Sequence, residues 1–163
     1  MKEVIWFCLV TGVLSTVALD IWVILVERVT GLPPTNWGMV GRWLTGLRAG
    51  HWVLRGDDPS APSVGERALG WGFHYLVGMG YAVLILLCWG TAFVQAPTAL
   101  PVFIIGVVVS TLAGLMILMP GLGAGFMGAK LPNQGAMLVY LLVAHGVYAL
   151  ALYGAALWVS HWV

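Results

Sequence analysis

The segment "STVALDIWVILVER" (residues 15–28) places one carboxylic acid, Asp20, within a run of apolar side chains. The apolar run extends from Val4 to Val26. That length is enough to cross the hydrocarbon core of a bilayer, since a membrane helix needs about 20 such residues. A charge near the centre of a membrane helix costs roughly 2.5–3.5 kcal/mol or more. We therefore expect Asp20 to have a partner on another helix or a function.

The composition of the whole chain is that of a membrane protein. Of its 163 residues, 61% are hydrophobic and 8% are charged, and the mean hydropathy is +0.97. The net charge of +1 rests on only seven Lys and Arg residues, too few for the basic surface that nucleic acid requires. Nucleic acid is therefore excluded as a partner, and the lipid bilayer is the expected one. Two cysteines, Cys8 and Cys88, form neither a disulfide framework nor a CxxC metal motif.

Four apolar stretches predict an all-α fold with four transmembrane helices in a single domain, residues 1–163. The predicted spans are Val4–Val26, Leu69–Val94, Leu100–Pro120 and Ala136–Ser160. The first apolar run is longer than that of a signal peptide and ends in no small-residue cleavage site, so we expect it to remain as a helix. The linker between the first two spans, residues 27–68, is the only one long enough to hold structure of its own.

The basic residues predict the orientation of these spans. Six of the seven lie in the first and third linkers, and only Lys2 lies at the amino end: Arg28, Arg42, Arg48, Arg55, Arg67 and Lys130. The positive-inside rule places both basic linkers in the cytoplasm. Both termini are then expected on the opposite side of the membrane.

The first linker contains a segment with a helical, amphipathic pattern, "TNWGMVGRWLTGLRAGHW" (residues 35–52). Its apolar residues recur at helical intervals: Trp37, Val40, Trp43, Leu44 and Leu47. We expect an element that lies flat in the headgroup region, with this stripe buried there and Arg42 and Arg48 facing anionic lipid. Three glycines between residues 37 and 48 weaken the helix prediction, so an irregular linker with interfacial tryptophans stays an alternative.

Two local signals mark helix starts. Ser63 and Glu66 have the spacing of a capping box just before the second span. Pro101 lies near the first turn of the third span, where its missing N–H is harmless. Both signals agree with the apolar stretches.

A glycine-rich segment, "GLGAGFMG" (residues 121–128), follows the third span. Its glycines are Gly121, Gly123, Gly125 and Gly128, and the last three match GxGxxG. That dinucleotide fingerprint needs a preceding strand within a βαβ unit, and no strand is predicted here. Two interpretations remain open: close approach of helices through small residues, or a broken, partly re-entrant segment that lines a polar cavity.

Three ionisable side chains fall in the same half of the membrane: Asp20, His74 and His145. A rise of about 1.5 Å per residue places Asp20 and His74 roughly 8–9 Å inside one boundary, and His145 a few ångströms deeper. Tyr75 and Tyr148 add hydroxyl groups on the two helices that carry the histidines. We expect these five residues to form an intramembrane polar set that shares protons or hydrogen bonds between helices.

Three kinds of function fit the polar set. Interhelical hydrogen bonding alone would describe a non-enzymatic membrane component or subunit. A proton-coupled transporter or channel would use Asp20 as the titrating group and His74 as a relay. A haem or metal protein would use His74 and His145 as ligands. The chain has no GxSxG or HExxH motif, which disfavours a hydrolase, and the sequence requires no cofactor.

Glycines in the second and fourth spans indicate close packing within the chain or between copies. They are Gly72, Gly78, Gly80, Gly146 and Gly154. Four short helices enclose little space for a substrate path. We therefore expect a homo-oligomer or a partner membrane protein.

Four segments carry a resemblance to a known family: "NWGMVGRWLTGL", "GERALGWGFHYLVGMGYA", "PGLGAGFMGAKLPN" and "AHGVYALALYGAAL". The chain resembles a family of small bacterial inner-membrane proteins catalogued as domain of unknown function 2938. The resemblance implies a four-helix protein of the bacterial inner membrane. The charge rule above then places both termini in the periplasm. The resemblance implies no activity.

The resemblance also bears on single residues. It implies that the acid of span one, the "HY" pair and the histidine of span four belong to the family pattern; here they are Asp20, His74–Tyr75 and His145. Met119 stands where the pattern has a glutamine. This departure weakens the case for a polar cavity beside Pro120.

Overall fold

The computed structural model describes residues 1–56 and 58–162, and in this part of the chain all regular structure is helical. The helices are α1 (Lys2–Thr30), α2 (Trp37–Arg48), α3 (Val64–Trp89), α4 (Ala99–Gly121) and α5 (Gln134–Ser160). All except α2 are long and apolar enough to span a membrane. The predicted all-α class with four membrane helices is confirmed, and the chain is a multi-pass membrane protein.

The bounds of α3 differ from those of the predicted apolar span, because a capping box sets its start and a glycine sets its end. α3 begins at Val64, because Glu66 accepts a 2.6 Å hydrogen bond from the Ser63 N–H and its own N–H donates to the Ser63 hydroxyl at 3.2 Å. The predicted capping box is confirmed. α3 ends at Trp89 rather than near residue 94, because Gly90 has a φ of 84°, and a short 3₁₀ turn, Thr91–Val94, follows.

The chain divides into two compact units. Unit 1 comprises Met1–Pro34, Tyr75–Thr111 and Leu142–Val163, and unit 2 comprises Thr35–His74 and Leu112–Leu141. The predicted single domain over residues 1–163 stays a prediction.

Unit 1 has an apolar core in which α1 and α3 approach closely. Phe7 of α1 packs edge-on against Phe93, with ring centroids 6.1 Å apart. A Cβ on Gly12 would lie 2.5 Å from the Met79 Cα, and one on Gly78 would overlap the Thr16 hydroxyl. The absence of a side chain at these two glycines therefore lets the two helices touch.

Hydroxyl groups on the buried face of α1 are bonded within the helix. Thr11, Ser15 and Thr16 are buried, and each donates to a carbonyl four residues earlier at 2.7–2.8 Å. This back-bonding satisfies the donors without a partner on another helix.

α4 departs from regular α geometry twice. The stretches Ile104–Val109 and Gly114–Leu118 are π-helical and flank Ser110–Ala113. Such wide turns are rare and occur often at functional sites. Thr111, in the segment between them, belongs to the candidate site described below.

The four long helices present much apolar surface outward. Only 22% of the apolar window is buried in α1, α3 and α5, and 33% in α4. Of the five glycines expected to pack closely, Gly78 does so within unit 1. A Cβ on any of the other four would meet no described atom within 4 Å: Gly72, Gly80, Gly146 and Gly154. A surface of this kind suits lipid or another membrane protein.

Candidate functional site

Asp20 has a hydrogen-bond partner inside the membrane span. The Tyr75 hydroxyl of α3 donates to Asp20 Oδ2 of α1 at 2.8 Å, and both side chains are partly buried. The close contact of α1 with α3 at Gly12 and Gly78 positions the two residues. A hydrogen bond to a carboxylate is roughly twice as strong as one between neutral groups, so it offsets part of the burial cost of the acid.

His145 is bonded to α4. Its Nδ1 lies 2.9 Å from the hydroxyl oxygen of Thr111, and the tautomer of the imidazole decides which atom donates. Thr111 is buried and His145 is half-buried. Sequence reasoning missed Thr111, because a threonine in an apolar span is usually satisfied by its own helix, as in α1.

Tyr148 joins α5 to α3. Its hydroxyl donates to the carbonyl oxygen of Gly78 at 2.8 Å, and the side chain is buried. A glycine leaves its carbonyl accessible to a group on a neighbouring helix. This partner of Tyr148 is a backbone group, which no pattern of side chains could have indicated.

His74 lies in unit 2 among tryptophans. Its imidazole stacks on the Trp37 indole with ring centroids 3.9 Å apart and planes 24° apart. Trp71 approaches the same imidazole edge-on at 5.8 Å. The ring of Trp37 is half-buried, and its predicted place among lipid headgroups stays a prediction.

The five predicted members of the polar set thus fall in both units. Asp20 with Tyr75, His145 and Tyr148 belong to unit 1, and His74 belongs to unit 2. Within residues 1–56 and 58–162, no group of three His, Cys, Asp or Glu side chains is arranged to hold a metal ion. The described contacts of this set include the bonds of Tyr75 to Asp20 and of Thr111 to His145, and the bond of Tyr148 to a backbone carbonyl. A shared centre of Asp20, His74 and His145 stays a prediction.

In unit 2, α2 packs on the start of α3 through glycines of both helices. A Cβ on Gly41 would overlap the Glu66 carbonyl, and one on Gly70 would overlap the Trp37 carbonyl. Two residues of the α2 stripe, Val40 and Trp43, are 0% and 7% exposed. The prediction that this stripe faces the headgroup region is therefore wrong at both positions. The protein itself covers them, because the glycines bring the backbones together.

Arg42 is held by an ion pair that ties α2 to α3. Its Nε donates to Glu66 Oε1 at 2.8 Å and its Nη2 donates to Oε2 at 3.3 Å. Its Nη1 donates to the Ser60 carbonyl at 3.0 Å and lies 3.5 Å from Asp58 Oδ2. With 12% of its side chain exposed, Arg42 does not face lipid as predicted. Arg48 is exposed, and its contact with anionic lipid stays a prediction.

The same network shifts the pKa values of Arg42 and Asp58. The hydrogen bond from Arg42 to Glu66 raises the pKa of the guanidinium above its usual range, and Asp58 adds a smaller Coulombic contribution. Hydrogen bonds from Ser60 lower the pKa of the Asp58 carboxyl, and the nearby Arg42 charge lowers it further. Both groups are therefore charged at neutral pH.

Trp43 contacts the glycine-rich segment. A Cβ on Gly121 would lie 2.5 Å from two carbon atoms of the indole ring. The Trp43 Nε1–H donates to the Trp52 carbonyl at 2.9 Å, and the Leu54 N–H donates to the Gly121 carbonyl at 2.7 Å. Gly121 therefore permits a close approach of the Trp43 ring.

The remaining glycines of this segment serve a turn. Gly123, Gly125 and Gly128 have φ values of 85°, 80° and 74°, which side chains disfavour. The Lys130 N–H donates to the Ala124 carbonyl at 2.9 Å and closes the loop. A tightly wound loop was not among the two sequence interpretations, because spacing alone does not reveal the sign of φ.

The fold and these contacts define a small membrane protein whose four long helices are joined by polar contacts. Residues 9–159 match the family described as "Protein of unknown function (DUF2938)". Because the match covers most of the chain, the protein belongs to this family, and the resemblance is confirmed. No curated protein and no solved structure matches the chain.

Proposed function

We propose that this protein is a non-enzymatic component of the bacterial inner membrane in which polar side chains within the spans hold helices together. One observation supports this proposal most: every buried side-chain nitrogen or oxygen in the described residues has a hydrogen-bond partner. A polar group that is fully satisfied within the protein stabilises helix association and needs no ligand to complete it.

The direction of the hydrogen bonds supports the same role. Tyr148 donates its proton to a backbone carbonyl, as do Thr11, Ser15 and Thr16. A proton relay needs groups that both donate and accept along a chain, and a backbone carbonyl only accepts. These four hydroxyl groups therefore fit a structural role better than a relay.

The proposal includes a protein neighbour in the membrane. Four glycines of α3 and α5 have open space where a Cβ would lie: Gly72, Gly80, Gly146 and Gly154. Small residues on an apolar helix permit close contact with a second copy or another membrane protein. Cross-linking in native membranes, followed by mass determination, tests for such a neighbour.

The proposed role is tested by measuring proton flux and stability on the same variants. Asp20→Asn removes the titrating group but keeps an oxygen that accepts from Tyr75, and Tyr75→Phe removes the bond but keeps the acid. In liposomes with a pH gradient, the wild type should show no flux above empty liposomes. In mixed micelles with increasing denaturing detergent, Tyr75→Phe should unfold earlier than the wild type. Wild-type flux that Asp20→Asn abolishes would overturn the proposal.

A small proton-coupled transporter or channel is the second candidate. The observation that favours it is the position of Asp20 within an apolar span, since ionisable residues inside membrane helices often belong to ion or proton pathways. Flux abolished by Asp20→Asn and retained by Tyr75→Phe would support this candidate. Flux lost equally in both variants would point to a damaged fold.

The haem or metal alternative rests on His74 and His145. Trp37 covers one face of the first imidazole, and Thr111 engages Nδ1 of the second. These contacts add no support to a shared ligand site. An absorption spectrum with elemental analysis of the purified protein tests the alternative, and a stoichiometric metal lost in His145→Ala would revive it.

The proposed orientation has both termini in the periplasm. It is supported by the excess of basic residues in the first and third linkers. A carboxyl-terminal fusion to a phosphatase that is active only in the periplasm should be active, and a fusion to a fluorescent protein that matures only in the cytoplasm should be dark. The reverse pattern would overturn the orientation.

A further inference from the structure

Unit 2 exposes large apolar side chains on two loops. In the chain that follows α2, Trp52 is 80% exposed and Val53 is exposed as well. In the loop that joins α4 to α5, Phe126 is 56% exposed and Met127 is exposed as well. We call these four residues the loop surface. Exposed apolar side chains that cluster mark a site of contact with lipid or with another protein.

The two loops lie beside each other at the end of α4. The Leu54 N–H of the first loop donates to the carbonyl of Gly121, the last residue of α4, at 2.7 Å. A Cβ on Gly123 would lie 4.0 Å from Val53 Cγ1. The first loop therefore contacts the chain that leads from α4 into the second loop, and the loop surface belongs to one region of unit 2.

The second loop folds back along the last turn of α4. The Ala124 N–H donates to the Met119 carbonyl at 2.9 Å, and a Cβ on Gly128 would lie 3.0 Å from the Met119 Sδ. Met127 is the neighbour of Gly128, and consecutive Cα atoms are about 3.8 Å apart. The tip formed by Phe126 and Met127 is therefore at the level where a membrane span ends.

The loop surface lies next to the apolar outside of this span. Met116 and Ile117 of α4 are exposed, and they precede Gly121 by about one helical turn. Exposed apolar side chains on a membrane helix contact lipid. The loop surface is therefore close to the boundary between acyl chains and headgroups, where a soluble protein would first have to displace lipid.

Backbone geometry fixes both loops. Gly50 has a φ of 80° and turns the chain after α2, and the Trp43 indole N–H holds the Trp52 carbonyl at 2.9 Å. In the second loop, Met127 has a φ of 54°, which side chains disfavour, and the Gln134 side-chain amide donates to its carbonyl at 3.0 Å. Because the loops are already ordered with apolar side chains outward, contact with a partner costs little conformational entropy.

Two basic residues flank the loop surface. Arg48 ends α2 and Lys130 follows the tip of the second loop, and both are exposed. In the part of the chain that the structure describes, neither forms an ion pair, whereas Asp58 and Glu66 are both paired with Arg42. Cations beside exposed apolar side chains complement the phosphates of an anionic leaflet.

We propose that the loop surface enters the headgroup region of the leaflet in which α4 ends, and that anionic lipid holds it there. The rings of Trp52 and Phe126 lie below the phosphates, and Arg48 and Lys130 contact phosphate oxygens. An indole suits this depth, because its N–H can stay hydrated while the ring leaves water. A soluble partner protein would instead need these rings to face water, so the depth of the loops decides between the two.

The test measures the depth of each loop in a bilayer. The full-length protein with Cys88→Ser receives one new cysteine, Val53→Cys or Phe126→Cys, and an environment-sensitive fluorophore is attached there; Cys8 is buried. The control Ala61→Cys labels an exposed residue of the same linker, three residues before α3. Each protein is placed in nanodiscs of phosphatidylcholine, alone or mixed with phosphatidylglycerol. The quencher is either a lipid spin-labelled near its headgroup or a neutral compound in water.

In nanodiscs that contain phosphatidylglycerol, we expect the lipid quencher to act on the labels at residues 53 and 126 and the water-soluble quencher to reach them poorly. The label of Ala61→Cys should show the opposite pattern. Labels at residues 53 and 126 that only the water-soluble quencher reaches would overturn the proposal and assign the loop surface to a partner in water. Equal lipid quenching at all three positions would overturn it too, because the whole linker would then lie among headgroups. If Val53→Cys unfolds, Phe126→Cys decides alone, since its side chain is exposed.

A second arm tests the two basic residues. Phosphatidylglycerol should raise the ratio of inserted to water-exposed label in the protein labelled at Phe126→Cys. Arg48→Gln and Lys130→Gln should each lower that ratio about fivefold, the effect of one basic residue beside an anionic leaflet. The control Arg28→Gln removes an exposed charge from unit 1 and should leave the ratio unchanged. A ratio that does not respond to phosphatidylglycerol, or an equal fall in Arg28→Gln, would overturn the assignment to anionic lipid.

Discussion

The Tyr75 hydroxyl donates a 2.8 Å hydrogen bond to the Asp20 carboxylate, and this bond links α1 to α3 inside the membrane. A lone acid in an apolar helix is expensive, and a phenol lowers that cost without bringing a second charge into the span. The pair therefore explains how an acid can be kept in the first membrane helix of this protein.

The first prediction concerns the coupling between these two residues. In a double-mutant cycle with Asp20→Leu and Tyr75→Phe, the two changes should be non-additive by about 0.6 kcal/mol and by at most about 1.7 kcal/mol. The free energy of unfolding in mixed micelles measures the coupling. Asp20→Asn with Tyr75→Phe serves as the control cycle, because asparagine keeps the acceptor. Additive effects in both cycles would show that the bond contributes nothing to stability.

The second prediction compares two glycines of α3. A Cβ on Gly70 would overlap the Trp37 carbonyl, whereas one on Gly72 would meet no described atom within 4 Å. Gly70→Ala should destabilise the protein by about 1–3 kcal/mol, because a backbone contact cannot yield as a side chain can. Gly72→Ala should be neutral or slightly stabilising, because alanine favours helix. Equal effects of the two changes on the unfolding free energy would contradict the packing of α2 on α3.

These glycines show what the sequence could and could not predict. Hydropathy and the Ser63–Glu66 spacing predicted the long helices and the start of α3, because span length and capping are local properties. The glycines of α2 weakened the helix prediction for this segment, because helix propensity describes a segment in isolation. In the folded chain, Gly41 and Gly70 permit backbone contact, which depends on a partner distant in sequence.

The candidate site shows the same division between local and nonlocal information. The need of Asp20 for a partner follows from its place in an apolar run. Depth along a helix does not determine which way a side chain faces, so spacing could not identify the Tyr75 hydroxyl as a donor to Asp20. The burial of Trp43 against Gly121 was missed for the same reason, because an amphipathic stripe buries its apolar face equally well in lipid or in protein.

The third prediction concerns pH and Asp58. Its pKa is lowered in the folded chain by hydrogen bonds from Ser60 and by the Arg42 charge, so the carboxylate contributes stability above its ordinary pKa of 3.8. That contribution is lost as the pH falls through the lower folded pKa. Between pH 5 and pH 3, the wild type should therefore lose more stability than Asp58→Asn. Glu27→Gln, which changes an exposed carboxylate at the carboxyl end of α1, should follow the wild type. Parallel curves for the wild type and Asp58→Asn would remove the proposed role of Asp58 in the network.

The fourth prediction concerns the link between α4 and α5. Thr111→Val keeps the shape of the side chain and removes the hydroxyl that lies 2.9 Å from His145 Nδ1. Leaving a half-buried imidazole without this partner should lower the unfolding free energy by about 1 kcal/mol. Thr111→Ser restores a hydroxyl and should recover most of the loss.

Ser110→Ala is the matched control for this link. Ser110 donates to the Gly106 carbonyl of its own helix at 2.6 Å, so its removal breaks a hydrogen bond within α4. The His145 ring resonances in the nuclear magnetic resonance spectrum should shift in Thr111→Val and not in Ser110→Ala. If Ser110→Ala destabilised the protein as much as Thr111→Val, the effect would come from the backbone of α4 between its two π-helical stretches, and the Thr111–His145 bond would have no separate role in holding α5 to α4.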